Sequence, residues 1–193
     1  MTIHPELRKQ FNDITLSSEH EQLIASSFLP YKAKKNEILL REGSVAKYIF
    51  FVIKGCLRVF ITDDSGNEST RFLMFEGDFG TAFPSFILRE PSNATIQSME
   101  SSDILMLSYH DQERIFREVP GWESMYRKRL ELDYIASIRR VEGFTTLTAH
   151  QRYELLLKRN ASLVQRLPAK IIAEYLGINK ATLSRLKSHK SYK

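Results

Sequence analysis

The segment from Arg166 to Ser188, which reads RLPAKIIAEYLGINKATLSRLKS, constrains the fold of this chain more than any other. Pro168 suits the first turn of a helix, and Gly177 can adopt the left-handed conformation that ends one. The pattern predicts a helix from about Pro168 to Leu176, a tight turn, and a second helix capped by Asn179. Apolar residues recur at helical spacing on both sides of the turn, namely Ile171, Ile172, Leu176, Ile178, Leu183 and Leu186.

The second predicted helix is polar and basic, with no acidic residue after Glu174. The small Ala173, then Gly177, then Leu183 match the framework spacing of a helix-turn-helix, whose second helix can lie against DNA. A helical hairpin that only packs within its own domain is the alternative. The candidate DNA-binding residues are Asn179, Lys180, Thr182, Ser184, Arg185 and Lys187.

Charge is distributed unevenly along the 193 residues, whose net charge is +5. From Thr145 to the end, ten basic residues stand against Glu154 and Glu174, a net +8, whereas the first 144 residues carry 18 basic and 21 acidic side chains. A basic segment behind a mildly acidic body predicts an anionic partner for the carboxyl-terminal part. A solvated helical surface is the alternative.

Composition excludes several classes of protein. The amino terminus lacks the apolar run of a signal peptide, and no apolar stretch approaches the ~18 residues of a membrane span, so we expect a cytoplasmic protein without a membrane partner. The single Cys56 cannot hold an iron–sulfur cluster, and the five histidines lack ligand spacing. Residues 31–108 contain no histidine, which argues against a metal-dependent β-barrel enzyme. We therefore predict no enzyme activity, no metal and no cofactor.

The first two thirds of the chain change character twice. Residues 5–28 have helical spacing with a cap at Ser17 or Ser18, whereas residues 31–108 form short β-rich runs separated by glycines and polar turns. These runs predict an antiparallel barrel, roll or sandwich. The predicted strands are 38–40, 48–53, 57–61, 70–75, 94–97 and 104–107.

Helical spacing returns after Tyr109. It predicts a short helix over about 110–118, a long helix over 120–143 that begins at Pro120, and a helix over about 148–160 capped by Thr148. The long helix has too many apolar residues for one narrow seam, which indicates self-association or packing across its own domain. The fold class is therefore α+β, with predicted domains 1–118 (effector), 119–145 (dimerisation helix and hinge) and 146–193 (DNA-binding).

These parts, in this order, resemble the cyclic-AMP receptor / fumarate-nitrate regulator (Crp/Fnr) family of bacterial transcription factors. The resemblance covers nearly the whole chain and rests on EILLREGSVAKYIFFVIKGCLRVF, FEGDFGTAF and LPAKIIAEYLGINKATLSRLKS. It implies a cyclic-nucleotide-binding-like β-roll, a long helix that pairs two subunits, and a helix-turn-helix that enters half of a palindromic operator. Implied partners are double-stranded DNA, a second copy of the chain, RNA polymerase and an unknown small-molecule effector.

The resemblance places an effector pocket near Gly80, Thr81, Arg89, Ser92 and Asn93. Family members that bind cyclic AMP carry a Gly-Glu for the ribose and an Arg-Ser or Arg-Thr for the phosphate. Here Thr81 follows Gly80, and residues 91–94 read PSNA without arginine. We therefore expect cyclic AMP to bind weakly or not at all. The roll either holds another ligand or is filled by Phe79, Phe83 and Phe86.

On the second helix of the helix-turn-helix, Arg185 occupies a position that family members use to read guanine. Ala181 replaces a glutamate that is common in the family, so a different operator sequence is expected. The β-hairpin wing that many members carry after this helix is also expected to be absent. The function predicted is a dimeric, sequence-specific DNA-binding regulator of transcription. The alternative is a small-molecule sensor whose carboxyl-terminal helices bind a protein.

Overall fold

The computed structural model describes residues 2–12, 14–159 and 161–190 and divides into two compact units. The first unit comprises Met1–Thr62 and Arg71–Arg129, and the second comprises Asp63–Thr70 and Leu130–Lys193. One strand and one long helix therefore contribute residues to both units. The domain boundaries predicted at 118/119 and 145/146 follow secondary structure alone and stay predictions.

The described residues include eight strands, which form two antiparallel sheets ordered β1-β8-β3-β6 and β2-β7-β4-β5. All of them lie in the first unit except the first three residues of β5, which belong to the second. This confirms the antiparallel β-rich tract predicted for residues 31–108. The strands are β1 (Phe28–Ala33), β2 (Ile38–Leu40), β3 (Tyr48–Lys54), β4 (Leu57–Thr62), β5 (Glu68–Met74), β6 (Phe79–Gly80), β7 (Thr95–Ser98) and β8 (Ser102–Ser108).

Helices precede, interrupt and follow these strands along the chain, and two of the helices begin at serine caps. Ser17 Oγ accepts a 3.2 Å hydrogen bond from the His20 N–H, which confirms the cap predicted there, and Ser108 Oγ accepts one of 3.0 Å from the Asp111 N–H. The helices are α1 (Pro5–Arg8) with a 3-10 turn (Lys9–Phe11), α2 (Ser18–Ser27), α3 (Phe83–Leu88), α4 (Tyr109–Glu118) and α5 (Trp122–Thr146).

A single apolar core joins the inner faces of the two sheets to the amino-terminal segment. Phe51, Ile96 and Phe86 are fully buried in it. Trp122 is also buried, and its ring lies 4.8 Å from that of Phe11 between centroids. Burying large side chains of this kind contributes about 1.5–3 kcal/mol each. The amino-terminal helices are therefore anchored by the same core as the sheets.

Three predictions about local structure in this unit were wrong or incomplete. Helix α2 ends at Ser27 and Phe28 begins strand β1, because Pro30 disfavours helical conformation at Leu29, so the helix cannot continue. Helix α3 and the two-residue strand β6 were not predicted. The long helix begins at Trp122 instead of Pro120, because Gly121 has a φ of +81° and cannot be helical.

The second unit contains the carboxyl-terminal part of α5, followed by α6 (Ala149–Arg159), α7 (Leu163–Arg166), α8 (Ala169–Leu176) and α9 (Lys180–Lys190). Thr148 Oγ1 accepts from the Gln151 N–H at 3.2 Å, which confirms the predicted cap of α6. Helix α5 continues past the predicted end at Gly143 to Thr146, while α7 was not predicted. Burial raises the pKa of the Tyr153 phenol. Among the described residues of this unit, the buried apolar side chains are Tyr153, Leu156, Leu167, Ile171, Ile172, Ala173, Leu176 and Leu183.

Helix α5 leaves an apolar stripe exposed in this unit. Tyr134, Ile138 and Val141 are 69%, 40% and 63% exposed, and their spacing of four and then three residues is that of a coiled-coil seam. Leu132 is also exposed but lies roughly 120° from Ile138 around the helix, at about 100° per residue. None of the helices in the described ranges is long and apolar enough to cross a membrane.

Candidate nucleic-acid interface

Helices α8 and α9 are joined by a short turn whose geometry follows from its residues. Pro168 precedes the first turn of α8, where its missing N–H leaves no hydrogen bond unmade. Gly177 ends the helix with a φ of +62°, in the left-handed region that favours glycine. Its N–H bonds to the Glu174 carbonyl at 3.0 Å, and the Ile178 N–H bonds to the Ala173 carbonyl at 3.0 Å. The turn predicted at Gly177 is confirmed.

The side chain of Asn179 caps the amino-terminal end of α9. Its Oδ1 accepts a 2.8 Å hydrogen bond from the Thr182 N–H, and its carbonyl accepts from the Leu183 N–H at 3.1 Å. Leu183 is fully buried and fixes the helix on the core of this unit. The inner side of α9 therefore carries Leu183, together with the half-buried Thr182, Leu186 and Lys187.

The exposed face of α9 carries Lys180, Ala181, Ser184, Arg185 and Ser188. These positions recur at intervals of one, three or four residues, so they share one side of a helix. Of the six predicted DNA-binding residues, Lys180, Ser184 and Arg185 lie on this face together with the exposed capping Asn179, while Thr182 and Lys187 are half-buried. The structure thus brings three of the predicted residues onto one exposed surface, with no acidic residue between Lys180 and Lys190.

The last acid before α9, Glu174, lies in a small polar network within the second unit. Its Oε2 accepts a 2.9 Å hydrogen bond from the hydroxyl of the buried Thr70, and its Oε1 lies 3.8 Å from Lys170 Nζ. Lys170 Nζ also lies 4.0 Å from Glu68 Oε2. Glu68 and Thr70 belong to the hairpin tip formed by residues 63–70. The local sequence of α8 does not predict that this tip contacts the helix.

The residues predicted as an effector pocket lie in the first unit, and the side chains of Thr81, Arg89 and Ser92 bond to the protein itself. Thr81 Oγ1 donates to the Tyr48 carbonyl at 2.8 Å. Arg89 adopts a left-handed conformation with a φ of +59°, and its Nη1 donates to the carbonyls of Ala46, at 2.7 Å, and of Phe86, at 3.2 Å. Its guanidinium also lies 4.7 Å from the ring centre of Tyr109.

Ser92 and Gly80 also contact other parts of the protein. The buried Ser92 hydroxyl donates to the Ala94 carbonyl at 2.8 Å and accepts from the Ala94 N–H at 3.0 Å. A Cβ added at Gly80 would lie 2.1 Å from the sulfur of Met74, so that side chain occupies the space beside Gly80. Asn93 is exposed. Of the three phenylalanines expected to fill the roll, Phe86 is buried in the core, Phe79 is half-buried and Phe83 is 44% exposed.

A cavity of about 250 Å³ lies elsewhere in the first unit, between β2 and the start of β3. None of the five predicted pocket residues lines it. Its walls are formed by Ile38, Leu39, Leu40, Arg41, Ser44, Val45, Ala46, Lys47, Tyr48 and Phe50. No group of three or more His, Cys, Asp or Glu side chains suited to a metal ion occurs in the part of the chain that the structure describes. The predictions of no cofactor and no catalysis stay predictions.

Sequence reasoning missed three residues that hold the turn between α8 and α9. Arg140 Nη2 donates to the Tyr175 carbonyl at 2.8 Å, and Arg152 Nε donates to the Leu176 carbonyl at 3.0 Å. Both guanidinium groups lie near the ring of Phe144, 4.9 Å and 5.5 Å from its centre. An arginine on a basic helix gives no local sign of such a role, so the sequence offered no signal for it.

Comparison with known proteins places these observations in context. Residues 31–119 match the cyclic nucleotide-binding domain family, which agrees with the expected roll. No curated protein sequence matches the chain.

Solved structures of regulators share the fold. The catabolite activator protein of Thermus thermophilus is 20% identical, with 95% of this chain and 86% of that chain covered and a TM-score of 0.58. FixK2 of Bradyrhizobium japonicum is 14% identical, with coverage of 84% and 83% and a TM-score of 0.70. A CooA double mutant from Carboxydothermus hydrogenoformans is 20% identical, with coverage of 100% and 87% and a TM-score of 0.68.

Proposed function

We propose that this chain, whose residues 31–119 match the cyclic nucleotide-binding domain family and whose fold is that of Crp/Fnr-type regulators, is a dimeric, sequence-specific DNA-binding regulator of transcription. The observation that carries the proposal is the exposed face of α9, on which Lys180, Ser184 and Arg185 lie together without an acidic neighbour. Cations attract the phosphate backbone, and side chains on one helix face can reach base edges in the major groove.

Arg185 is the residue proposed to select a base. Its planar fork can donate two hydrogen bonds to the O6 and N7 acceptors of guanine, whereas lysine offers a flexible point charge without that rigid fork. Lys180 and Ser184, at the amino-terminal end of the same face, are proposed to contact phosphate or base. Asn179 and Thr182 have a further role in the start of α9, because the Asn179 side chain bonds to the Thr182 N–H. Lys187 is half-buried and is proposed to contact the phosphate backbone of the DNA.

Dimerisation is proposed to occur through α5, along the seam of Tyr134, Ile138 and Val141. A twofold axis through such a seam would supply two copies of α9 to half-sites about 34–36 Å apart, so the operator should be palindromic. RNA polymerase is a further proposed partner, by analogy of fold alone.

The effector is proposed not to be cyclic AMP. A phosphate group needs a cation that is free to pair with it, and no arginine occupies the expected position between Pro91 and Ala94. Arg89, the nearest alternative, would have to give up its hydrogen bonds to Ala46 and Phe86. The hydroxyls of Thr81 and Ser92 are bonded to backbone carbonyls.

Selection of bound sites from a random duplex library, with and without cyclic AMP, tests this function. We expect a palindromic motif whose enrichment is indifferent to cyclic AMP. Arg185→Lys, which keeps the charge and removes the fork, should relax one position of each half-site and weaken binding to the selected site by roughly 5- to 150-fold, the equivalent of ~1–3 kcal/mol. Binding that showed neither salt dependence nor sequence preference would contradict the proposal.

A further inference from the structure

The carboxyl end of α8 is held by two arginines from other helices of the second unit. Four carbonyls at the end of an α-helix lack a partner within the helix. Those of Ala173 and Glu174 accept from the N–H groups of Ile178 and Gly177 in the turn. Those of Tyr175 and Leu176 accept from Arg140 and Arg152, so all four carbonyls have a partner.

Each arginine reaches α8 from a different element. Arg140 lies on α5, where its guanidinium stacks 3.9 Å from the ring centre of Tyr175 and 4.9 Å from that of Phe144. Arg152 lies on α6, and its Nη1 also donates to the Leu147 carbonyl, at 2.6 Å, just beyond the end of α5. Two cations at a helix carboxyl terminus oppose the negative end of its dipole, which adds to the hydrogen bonds.

Phe144 connects the two arginines to the turn itself. Its ring contacts both guanidinium groups, whose centres lie 4.9 Å and 5.5 Å from the ring centre, and a Cβ added at Gly177 would lie 2.9 Å from its Cε1. The turn therefore packs directly on the ring edge. From Gly177 the chain continues through two residues to Lys180, the first residue of α9. The position of that ring thus limits the direction in which α9 can leave.

We infer that Arg140, Phe144 and Arg152 form a clamp that fixes the direction of α9 relative to the carboxyl-terminal half of α5, and so sets the half-site spacing that a dimer can recognise. The inference rests on the proposed function, since spacing has meaning only for a DNA-binding dimer. All contacts of the clamp lie within residues 140–177, in the second unit. The three residues are positioning residues and contact no base.

A direct role of the same arginines in binding phosphate makes a different prediction. Removing a phosphate contact weakens binding to every duplex and lowers the slope of log Kd against log salt by about one per contact. Removing a positioning contact leaves that slope on random DNA unchanged and affects only how binding depends on spacing.

The experiment compares palindromic duplexes, built from the selected motif, in which the separation of the half-sites is changed by one or two base pairs. Wild type should prefer one spacing by about tenfold or more, since each lost base contact costs ~1–3 kcal/mol. Arg140→Gln/Arg152→Gln should bind the preferred spacing about tenfold more weakly and discriminate among spacings by less than about threefold, with an unchanged salt slope on random DNA. Arg139→Gln, which removes an exposed charge from the same helix, is the matched control and should behave as wild type.

Wild-type spacing preference in the double variant would overturn the inference, as would a lowered salt slope. If the double variant fails to fold, Phe144→Leu keeps an apolar side chain and loses the ring; it should show the same loss of discrimination.

Hydrogen exchange at the amides of Gly177, Ile178 and Thr182 gives a readout that is independent of DNA. It should accelerate about tenfold in the double variant, and unchanged protection would also overturn the clamp. Absence of any sequence preference in wild type would instead refute the proposed function, and with it the role of the clamp in spacing. The hydrogen-exchange rates would still decide whether the clamp holds the turn.

Discussion

Gly177 and Phe144 are in such close contact that a Cβ added at Gly177 would lie 2.9 Å from Cε1 of the ring. The contact joins the turn before α9 to the end of α5, 33 residues earlier in the chain. It combines two separate constraints at one position, because Gly177 also has a φ of +62°. Each constraint alone disfavours any other residue.

Gly177→Ala should therefore destabilise the second unit by about 2–3 kcal/mol, through the strain of a left-handed alanine and the clash with Phe144. Thermal unfolding followed by circular dichroism measures the loss. Gly66→Ala is the matched control, since Gly66 has a φ of +80° but no atom within 4 Å of the added Cβ. It should cost only about 1 kcal/mol. Equal losses at the two positions would show that the ring contact contributes nothing.

Asn179→Ala should lower stability by about 0.5–2 kcal/mol, because the first turn of α9 loses the side chain that accepts from the Thr182 N–H. Asn179→Asp keeps an accepting oxygen and places a negative charge at a helix amino terminus, so stability should be preserved. The same aspartate should weaken DNA binding, since a negative charge would face the phosphates. Melting temperatures and salt-dependent binding, measured on both variants, separate capping from DNA contact.

Ile138→Glu should shift the proposed dimer to monomer, because it places a charge in the centre of the proposed seam that contains Tyr134 and Val141. Sedimentation equilibrium measures the dissociation constant. Leu132→Glu is the matched control, since Leu132 is 58% exposed but lies on another side of α5. It should leave the dimer intact. Dissociation caused by Leu132→Glu but not by Ile138→Glu would show that the interface lies on the other side of the helix.

Acid should loosen the hairpin tip at Asp63. The Asp63 carboxylate accepts hydrogen bonds from the Asn67 N–H at 2.8 Å, the Asn67 side-chain amide at 3.1 Å and the Ser65 N–H at 2.9 Å. These bonds, those with Asn67 foremost, hold the pKa of Asp63 below its ordinary value. A lowered pKa in the folded state stabilises the tip at pH values above the unfolded pKa, and this stabilisation is lost as pH falls through the folded pKa.

The amide shifts of Ser65 and Asn67, followed by NMR from neutral pH down to pH 2–3, report this titration. They should move with a midpoint below the ordinary pKa of an aspartate, about 3.9. Asp63→Asn should abolish the change, because an amide keeps an accepting oxygen but does not titrate there. Asp64→Asn should leave it unaltered, and a midpoint above the ordinary value would contradict the lowered pKa.

The sequence by itself determined most of the order of secondary structure. Alternating apolar residues indicated strands such as 48–53, and serine, threonine and asparagine caps marked the starts of α2, α6 and α9. The turn at Gly177 was predictable because only glycine adopts its backbone conformation at low cost. These features depend on interactions within a few residues along the chain, and for that reason a pattern reveals them.

Only the tertiary structure decided the contacts between residues that are distant in the chain. Met74 lies beside Gly80 and Arg89 bonds to the Ala46 carbonyl, and no pattern of residues 80–94 shows these contacts. Arg140 and Arg152 have the sequence character of solvated basic residues, whereas in the structure their guanidinium groups donate to the carbonyls that end α8. Cation–π stacking and hydrogen bonding to a helix terminus depend on distances of a few ångströms between separate elements. Packing sets those distances, and local sequence does not.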